Sequence, residues 1–445
     1  MAGNGELLWP TEALCPFCLK SSPARVEAQG NEVWLVKDCP EHGRTESCLW
    51  PDKDSFLRMN SLRLPPAPPR FFRSAAKRGC PLDCGFCARH ARRATLVEIE
   101  VTERCNLRCP VCFMSAEERR GEAPPDPTLE ELGRTFEHIM QATTPQTAIQ
   151  VTGGEPTIRP DLPAIIRLGR SVGFEFIEIN TNGLALARDE AYAAALAEAG
   201  ATGIYLQFDG VTDAVFQKTR GTALLADKLA VLDNCRRAGL QICLAMTIIE
   251  GVNESQIGDV LRFALDNRDI VAGVAYQPAF GSGRFQVGQS GAPAEFRRFD
   301  ARRQKRLTQG DVIRLLAAQS GGLLEPGDFW SLGCSHPLCT SSTYLLSRGG
   351  KPTPLTRLIT EADYLAAFDP QSPQGSVLAD IARRRFPRHR AGLAIVVMNY
   401  MDCYNLDLQK TRECSMVVMS RDGRLVPFCL YHLTDAEGNR LRVEP

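Results

Sequence analysis

Residues 96–116 read LVEIEVTERCNLRCPVCFMSA. An apolar, strand-like run leads into three cysteines, Cys105, Cys109 and Cys112, and then Phe113. Three thiolates at this spacing wrap one face of a cubane iron–sulfur cluster from a single loop. A cluster with only three protein ligands keeps one iron open to a small-molecule ligand, as catalytic metal sites generally do. A structural zinc ion would suit the same three cysteines.

That strand opens a series. Apolar stretches recur at 147–153 (TAIQVTG), 174–183 (FEFIEINTNG), 203–210 (GIYLQFDG), 241–249 (QICLAMTII) and 271–279 (VAGVAYQPA). Helical periodicity fills the gaps. Residues 128–141 put Leu129, Leu132, Phe136 and Met140 on one face. Residues 162–173, 190–200, 223–239 and 255–267 follow, several stopping at glycine. Six β/α units predict an α/β core over 96–285, a parallel sheet closed or partly closed into a barrel. Such folds place their sites at the strand ends. Here those ends carry GGEPT (153–157), INTNG (179–183) and LQFDG (206–210). Each of the three, alone, would also pass for an ordinary turn.

The flanks are rich in cysteine. The chain has 17 cysteines, equal numbers of basic and acidic residues (52 each), and no apolar run of about 18 residues. The balanced charge gives no reason to expect nucleic acid as a partner and makes any membrane contact weak and peripheral. The N-terminus MAGNGELLWPTE lacks a signal-peptide pattern, so a cytoplasmic location is expected. In a reducing compartment, clustered cysteines point to metal or redox chemistry more than to disulfides. Residues 1–60 form a β-rich module. Its knuckles CPFC and CPEH offer Cys15, Cys18, Cys39 and His42 to one tetrahedral zinc or rubredoxin-like iron, with Cys48 as the alternative fourth ligand. Unligated thiols are the plain alternative.

Residues 61–95 hold the proline-rich linker LRLPPAPPRFF (62–72) and Cys80, Cys84 and Cys87. Residues 286–445 hold a basic stretch, RRFDARRQKR (297–306), read as a solvated face. They end in a hairpin over 415–432 with Cys414 and Cys429 on either side. Cys235 and Cys243 read as buried apolar residues. Eight cysteines remain: Cys80, Cys84, Cys87, Cys334, Cys339, Cys403, Cys414 and Cys429. Eight thiolates are what two fully ligated auxiliary 4Fe–4S clusters require. Disulfides or zinc would use them too. A natural division puts Cys80, Cys84 and Cys87 on one cluster, with a fourth ligand from the C-terminal half. His336, in CSHPLC, reads as a residue that orders its loop.

The cysteine loop after the first strand, with GGEPT after the second, resembles the radical S-adenosylmethionine (SAM) superfamily. The resemblance implies a partial (β/α)6 barrel with a metal-binding N-terminal module and a C-terminal auxiliary-cluster extension. In that family the open iron binds the amino and carboxylate groups of SAM. An electron, from a donor such as flavodoxin or ferredoxin, cleaves SAM to methionine and a 5′-deoxyadenosyl radical. Carried over residue by residue, it makes Cys105, Cys109 and Cys112 the cluster ligands and sets Phe113 beside adenine. Gly153, Gly154 and Glu155 fall near the methionine amino group. Asn180 and Asn182 are placed to bond ribose hydroxyls, Gln207 and Asp209 face the same mouth, and IIEGVN (248–253) resembles the adenine-contacting turn.

The segments RGCPLDCGFCARH, CPFC…CPEHG, CSHPLCT and MDCYNLDLQKTREC…DGRLVPFC are similar to one subgroup, the archaeal tetraether-lipid synthases and their bacterial relatives. That implies hydrogen abstraction from an unactivated lipid carbon and C–C bond formation or alkylation, with an apolar channel near Phe113 and Glu155. Methylation of a pterin precursor, radical modification of a peptide, and a zinc-dependent interaction protein with no catalysis are the alternatives. The run ARHARR after Cys87 and the extra Cys48 depart from the subgroup pattern and bear on the substrate.

Overall fold

The computed structural model describes residues 5–70, 74–114, 125–284, 302–348, 351–369, 376–387 and 392–441. The tail of the linker, the end of the cysteine loop (115–116) and the first half of the basic stretch (297–301) lie outside them. Four antiparallel strands open the chain: β1 (Glu6–Leu14), β2 (Ser21–Gln29), β3 (Glu32–Cys39) and β4 (Gly43–Trp50). Helix α1 (Lys53–Ser61) starts where the Asp52 side chain accepts from the Ser55 amide, an N-cap. Its Phe56 stacks on Trp9 at 5.3 Å and meets Trp50 edge-on, which seats the helix on the sheet.

The barrel strands fall where the apolar runs place them: β5 (Leu96–Thr102), β6 (Ala148–Gly153), β7 (Ile177–Thr181), β8 (Gly203–Gln207), β9 (Gln241–Ile248) and β10 (Val271–Pro278). They pair in parallel and in sequence order. Alternation in β5 sends Val97, Ile99 and Val101 into the core shared with the helices. Glu98 points the other way, into the barrel lumen, with Gln150, Asn180 and Tyr205 of the next three strands. The helix after β5, α2 (Leu129–Ala142), carries a Thr128/Glu131 capping box. Its buried face is Leu132, Phe136, Ile139 and Ala142. Leu129, expected on that face, is 40% exposed because it sits in the first turn, before the helix meets the sheet.

The C-terminal third is less separate than the sequence pattern suggests. β11 (Arg303–Gln304) adds to β4 of the N-terminal sheet. After β12 (Trp330–Ser331), β13 (Thr340–Arg348) and β14 (Lys351–Pro354), β15 (Leu393–Met398) pairs in parallel with β10. β16 (Met416–Met419) pairs in parallel with β5. Among the described residues the barrel sheet therefore has eight parallel strands, two of them from the C-terminal segment. They satisfy the edge backbone groups of β5 and β10, which a six-stranded sheet would leave open. The hairpin closes with β17 (Leu425–Pro427). Its expected second strand stops there: Pro427 has no N–H to continue a ladder, and Phe428–Tyr431 turn into a short helix.

The N-terminal module is tied to the same segment. The buried Lys37 ammonium donates to the Cys403 carbonyl (3.0 Å) and the Tyr404 carbonyl (2.6 Å). Burial pulls its pKa down to about 8. Among the described residues no helix is long and apolar enough to cross a membrane.

Candidate active site at the barrel mouth

The mouth is built where β5 and β6 end side by side. Gly153 has φ 139°, and a Cβ there would stand 2.1 Å from the Thr102 carbonyl oxygen, so only glycine lets the two strand ends touch. The Gly154 amide donates to that oxygen, and the Glu155 amide to Arg104 O (both 2.9 Å). The buried Glu155 carboxylate gathers the Thr157 amide (3.0 Å), the Thr157 and Thr181 hydroxyls (2.6 and 2.7 Å) and the Asn182 amide (2.7 Å). One carboxylate thus locks the end of β6 to the end of β7.

Across this frame lies the cysteine loop. Cys105, Cys109 and Cys112 line a cavity of about 170 Å³, together with Phe113, Gly153, Gly154, Glu155, Asn180, Asn182 and Gln207. The outer side of the loop is pinned by residues 283–284. A Cβ on Gly283 would meet the Cys112 and Phe113 carbonyls at 2.4 Å, and Arg284 donates from its amide to Cys112 O (2.9 Å) and from Nε to Cys109 O (3.0 Å). Phe113 packs on Phe280, Phe428 and His432, with centroids 5.8, 5.5 and 4.9 Å away. Burial pushes the Cys105 thiol up to about 12. Burial also raises Cys109, with the Arg220 guanidinium opposing it.

Asp209 is not brought to the cavity. It is fully buried behind the wall, paired bidentately with Arg220 (Nε–Oδ2 2.6 Å, Nη2–Oδ1 2.9 Å). Burial works against its charge, but Arg220 wins and holds the carboxyl below the usual carboxylate range. Arg220 is what reaches the cavity wall, also donating to Val111 O and the Thr247 hydroxyl (3.2 Å each). Nothing in the residues around it, QKTRG, marked it as a site residue. Lys228 was equally silent. It is fully buried and holds Asn182 O (2.6 Å) and Gln207 Oε1 (2.8 Å), and burial lowers its pKa to about 7. The Asn182 side chain is spent within the fold, donating to Asn106 Oδ1 (2.7 Å) and accepting from the Leu184 amide (3.0 Å). In IIEGVN, Asn253 donates to Asp209 O and Thr247 O (2.8 Å each) and accepts from the Ile249 amide. That turn braces the ends of β8 and β9, and the cavity wall itself takes Ala245 and Thr247 from β9.

The other cysteines sort by place. Ligand atoms of Cys15, Cys18, Cys39 and His42 lie within 4.8 Å of one another, with Cys18 Sγ 4.0 Å and His42 Nδ1 3.6 Å from Cys39 Sγ. Cys48 sits apart, buried with Trp34 and Val36. Cys334, Cys339, Cys414 and Cys429 line one cavity of about 480 Å³, whose wall also carries His336. The His336 Nδ1 accepts from the Leu338 amide (3.2 Å), which orders the CSHPLC loop. Cys80, Cys84 and Cys87 line a small cavity beside Arg412. Cys403 lines neither and has Asp402, Lys37, Arg306 and Asp435 among its charged neighbours. Cys235 is buried in the helix over 225–238, and Cys243 stands on β9.

Three thiols converging on one cavity, with no fourth protein ligand among the described residues of the loop, fit a cluster with an open iron. Comparison with known proteins agrees. A family model for the radical SAM superfamily matches residues 99–264, and one for the HMPTM N-terminal zinc ribbon domain matches residues 7–51. The chain is 30% identical to the 7,8-dihydro-6-hydroxymethylpterin dimethyltransferase of Methanocaldococcus jannaschii, over 95% of this chain and 93% of that one. The chain belongs to the radical SAM superfamily. This radical SAM enzyme is also 35% identical to the GTP 3′,8-cyclase of Erythrobacter litoralis, over 39% of its own length and about half (51%) of the cyclase. Among solved structures it resembles the FeFe-hydrogenase maturase HydG from Carboxydothermus hydrogenoformans, at 14% identity and a TM-score of 0.38, over 52% of this chain and 53% of that one. As a radical SAM enzyme it works with a 4Fe–4S cluster and SAM.

Proposed function

We propose that this radical SAM enzyme methylates a small dihydropterin precursor at an unactivated carbon. The observation that carries the reading is its similarity to a pterin dimethyltransferase along 95% of its length, N-terminal module included. The cavity beside the cysteine loop supports it. Glu98, Gln150 and Gln277 on its wall offer polar partners to a small heterocycle.

In this reading Cys105, Cys109 and Cys112 hold the catalytic cluster, which together with SAM supplies a 5′-deoxyadenosyl radical. Gly153, Gly154 and Glu155 form the methionine side of the SAM site, and Phe113 the adenine side. Asn180 and Gln207 keep polar groups on the wall for the ribose. Arg220, fixed by Asp209, keeps a positive charge beside Cys109 and so favours its thiolate. The Phe113–Phe280–Phe428 cluster shields the cavity from water, which a reactive radical requires. Cys334, Cys339, Cys414 and Cys429 hold one auxiliary cluster. Cys80, Cys84 and Cys87 contribute to a second. Cys15, Cys18, Cys39 and His42 hold a mononuclear zinc or iron.

One observation favours attack on a lipid chain instead. The 480 Å³ cavity is mostly apolar and shares Tyr400 and Phe428 with the SAM cavity. Its four cysteines, however, support filling that space with a cluster.

The test is anaerobic incubation of the reconstituted enzyme with SAM, reductant and 7,8-dihydro-6-hydroxymethylpterin. The expected products are 5′-deoxyadenosine and methionine from the SAM that is cleaved, and a methylated pterin with S-adenosylhomocysteine from a second SAM that gives up its methyl group, the reductant supplying the electrons; all are followed by mass. An unchanged pterin, with deuterium passing into 5′-deoxyadenosine from a chain-labelled lipid, would overturn the pterin reading and establish the lipid one.

A further inference from the structure

The lumen beneath the cysteine loop is lined with polar side chains, and almost all of them are paired. Gln150 Nε2 donates to Glu178 Oε2 (2.8 Å), Asn180 Nδ2 reaches Gln150 Oε1 (3.5 Å), and Gln277 donates to the Tyr205 hydroxyl. Glu98 is different. It stands in register with Gln150 on the neighbouring strand, its side chain lines the cavity, and it is 3% exposed. Among the described residues its carboxyl makes no hydrogen bond. Its nearest charged company is unfavourable: Glu100 on the same strand and Glu178 on β7 are both acidic. A buried carboxyl without a donor is costly, and nothing among the described residues relieves it. Its partner therefore comes from the ligand.

We infer that Glu98 is the substrate-recognition residue of the cavity, its carboxyl pairing with two adjacent N–H groups on the edge of a planar heterocycle, the 2-amino group and ring N–H of a 2-amino-4-oxopteridine. This rests on the pterin reading above. The two oxygens of a carboxylate match two parallel N–H groups, as they match a guanidinium. Tyr400 and Phe428, on the same wall with centroids 4.6 Å apart, offer aromatic faces to a flat ring. Burial, with Glu100 and Glu178 adding to it, raises the pKa of the free carboxyl well above the ordinary value. Donors from the ligand would let it ionise. An aliphatic chain would give Glu98 nothing to bond.

Anaerobic fluorescence titration of the cluster-loaded enzyme with two probes tests this. One is 6-hydroxymethylpterin. The other is 6-hydroxymethyllumazine, which has an oxo group in place of the 2-amino group. Wild type should prefer the pterin by about tenfold or more, and Glu98→Gln should weaken pterin binding about 10- to 100-fold and erase that preference. Glu98→Asp, which keeps the charge on a shorter arm, should fall between them. The thermal midpoint of Glu98→Gln should equal or exceed that of wild type, because an unpartnered acid has been removed. Equal pterin affinity in Glu98→Gln and wild type, or a lower midpoint with the preference intact, would overturn the role of Glu98 and leave the pterin reading standing. A wild type that binds neither probe would overturn the pterin reading itself.

Discussion

Two sites in this chain are made from cysteines on tight turns, and they differ in what they leave over. In the N-terminal sheet, two hairpin turns bring Cys15, Cys18, Cys39 and His42 within 4.8 Å of one another, a complete tetrahedral set. At the barrel mouth, one loop brings three thiols to the wall of a cavity and stops. A full set of four closes a metal against chemistry, while a set of three keeps a position open. The backbone makes the difference. The knuckles hang from the ends of antiparallel strands that hold both pairs at fixed separation. The loop is clamped between Gly153 on one side and Gly283 and Arg284 on the other, with the barrel lumen below it.

The sharpest way to break this contrast is at the support of the open site. Asp209→Asn leaves Arg220 buried without its counter-charge and should cost about 3–5 kcal/mol in urea unfolding. The pH dependence has a definite sign. The folded carboxyl titrates below its unfolded value of about 3.9, so its contribution is full above that pH and disappears as pH falls through the folded value. Wild type and Asp209→Asn should therefore converge in thermal midpoint in acid and diverge near neutrality. A constant gap from neutrality down into acid would mean that the Asp209–Arg220 pair does not hold the mouth.

A milder pair of substitutions sharpens the closed site. His42→Ala should remove one equivalent of bound metal per chain and loosen the N-terminal sheet, because metal binding and folding are coupled in such modules. Cys48→Ser should keep the metal and cost only about 1 kcal/mol, the order expected for trading a buried thiol for a hydroxyl beside Trp34. Elemental analysis separates the two, and metal loss in Cys48→Ser would move the fourth ligand away from His42.

Much of this was legible in the sequence. The six barrel strands follow from their apolar runs, and the cysteine loop and GGEPT arrive at one cavity because parallel β/α units deliver every strand end to the same rim. The hairpin of β16 and β17 was foreseen, but β15 was hidden for a physical reason. LAIVVM (393–398) is apolar at every position, which periodicity cannot tell from a buried helix, and no regular unit surrounds it. Glu98 was hidden differently. The alternation of VEIEV reads as a strand with one wet face, but in a barrel the polar face is the lumen, where a carboxylate meets ligand instead of bulk water. Arg220 and Lys228 lie on helices and enter the site only through pairs with Asp209, Gln207 and the Asn182 carbonyl, which spacing alone does not show. Asp209 was visible at its strand end, but Arg220 turns it away from the cavity.

The most direct test of the account is reductive SAM cleavage by wild type and by the triple variant Cys105→Ala/Cys109→Ala/Cys112→Ala. Both are reconstituted anaerobically with iron and sulfide, then given SAM and a strong reductant, and 5′-deoxyadenosine is quantified by chromatography. The account predicts that wild type forms 5′-deoxyadenosine and the triple variant forms none, although its N-terminal metal site and its remaining cysteines are intact. Undiminished 5′-deoxyadenosine from the triple variant would contradict it.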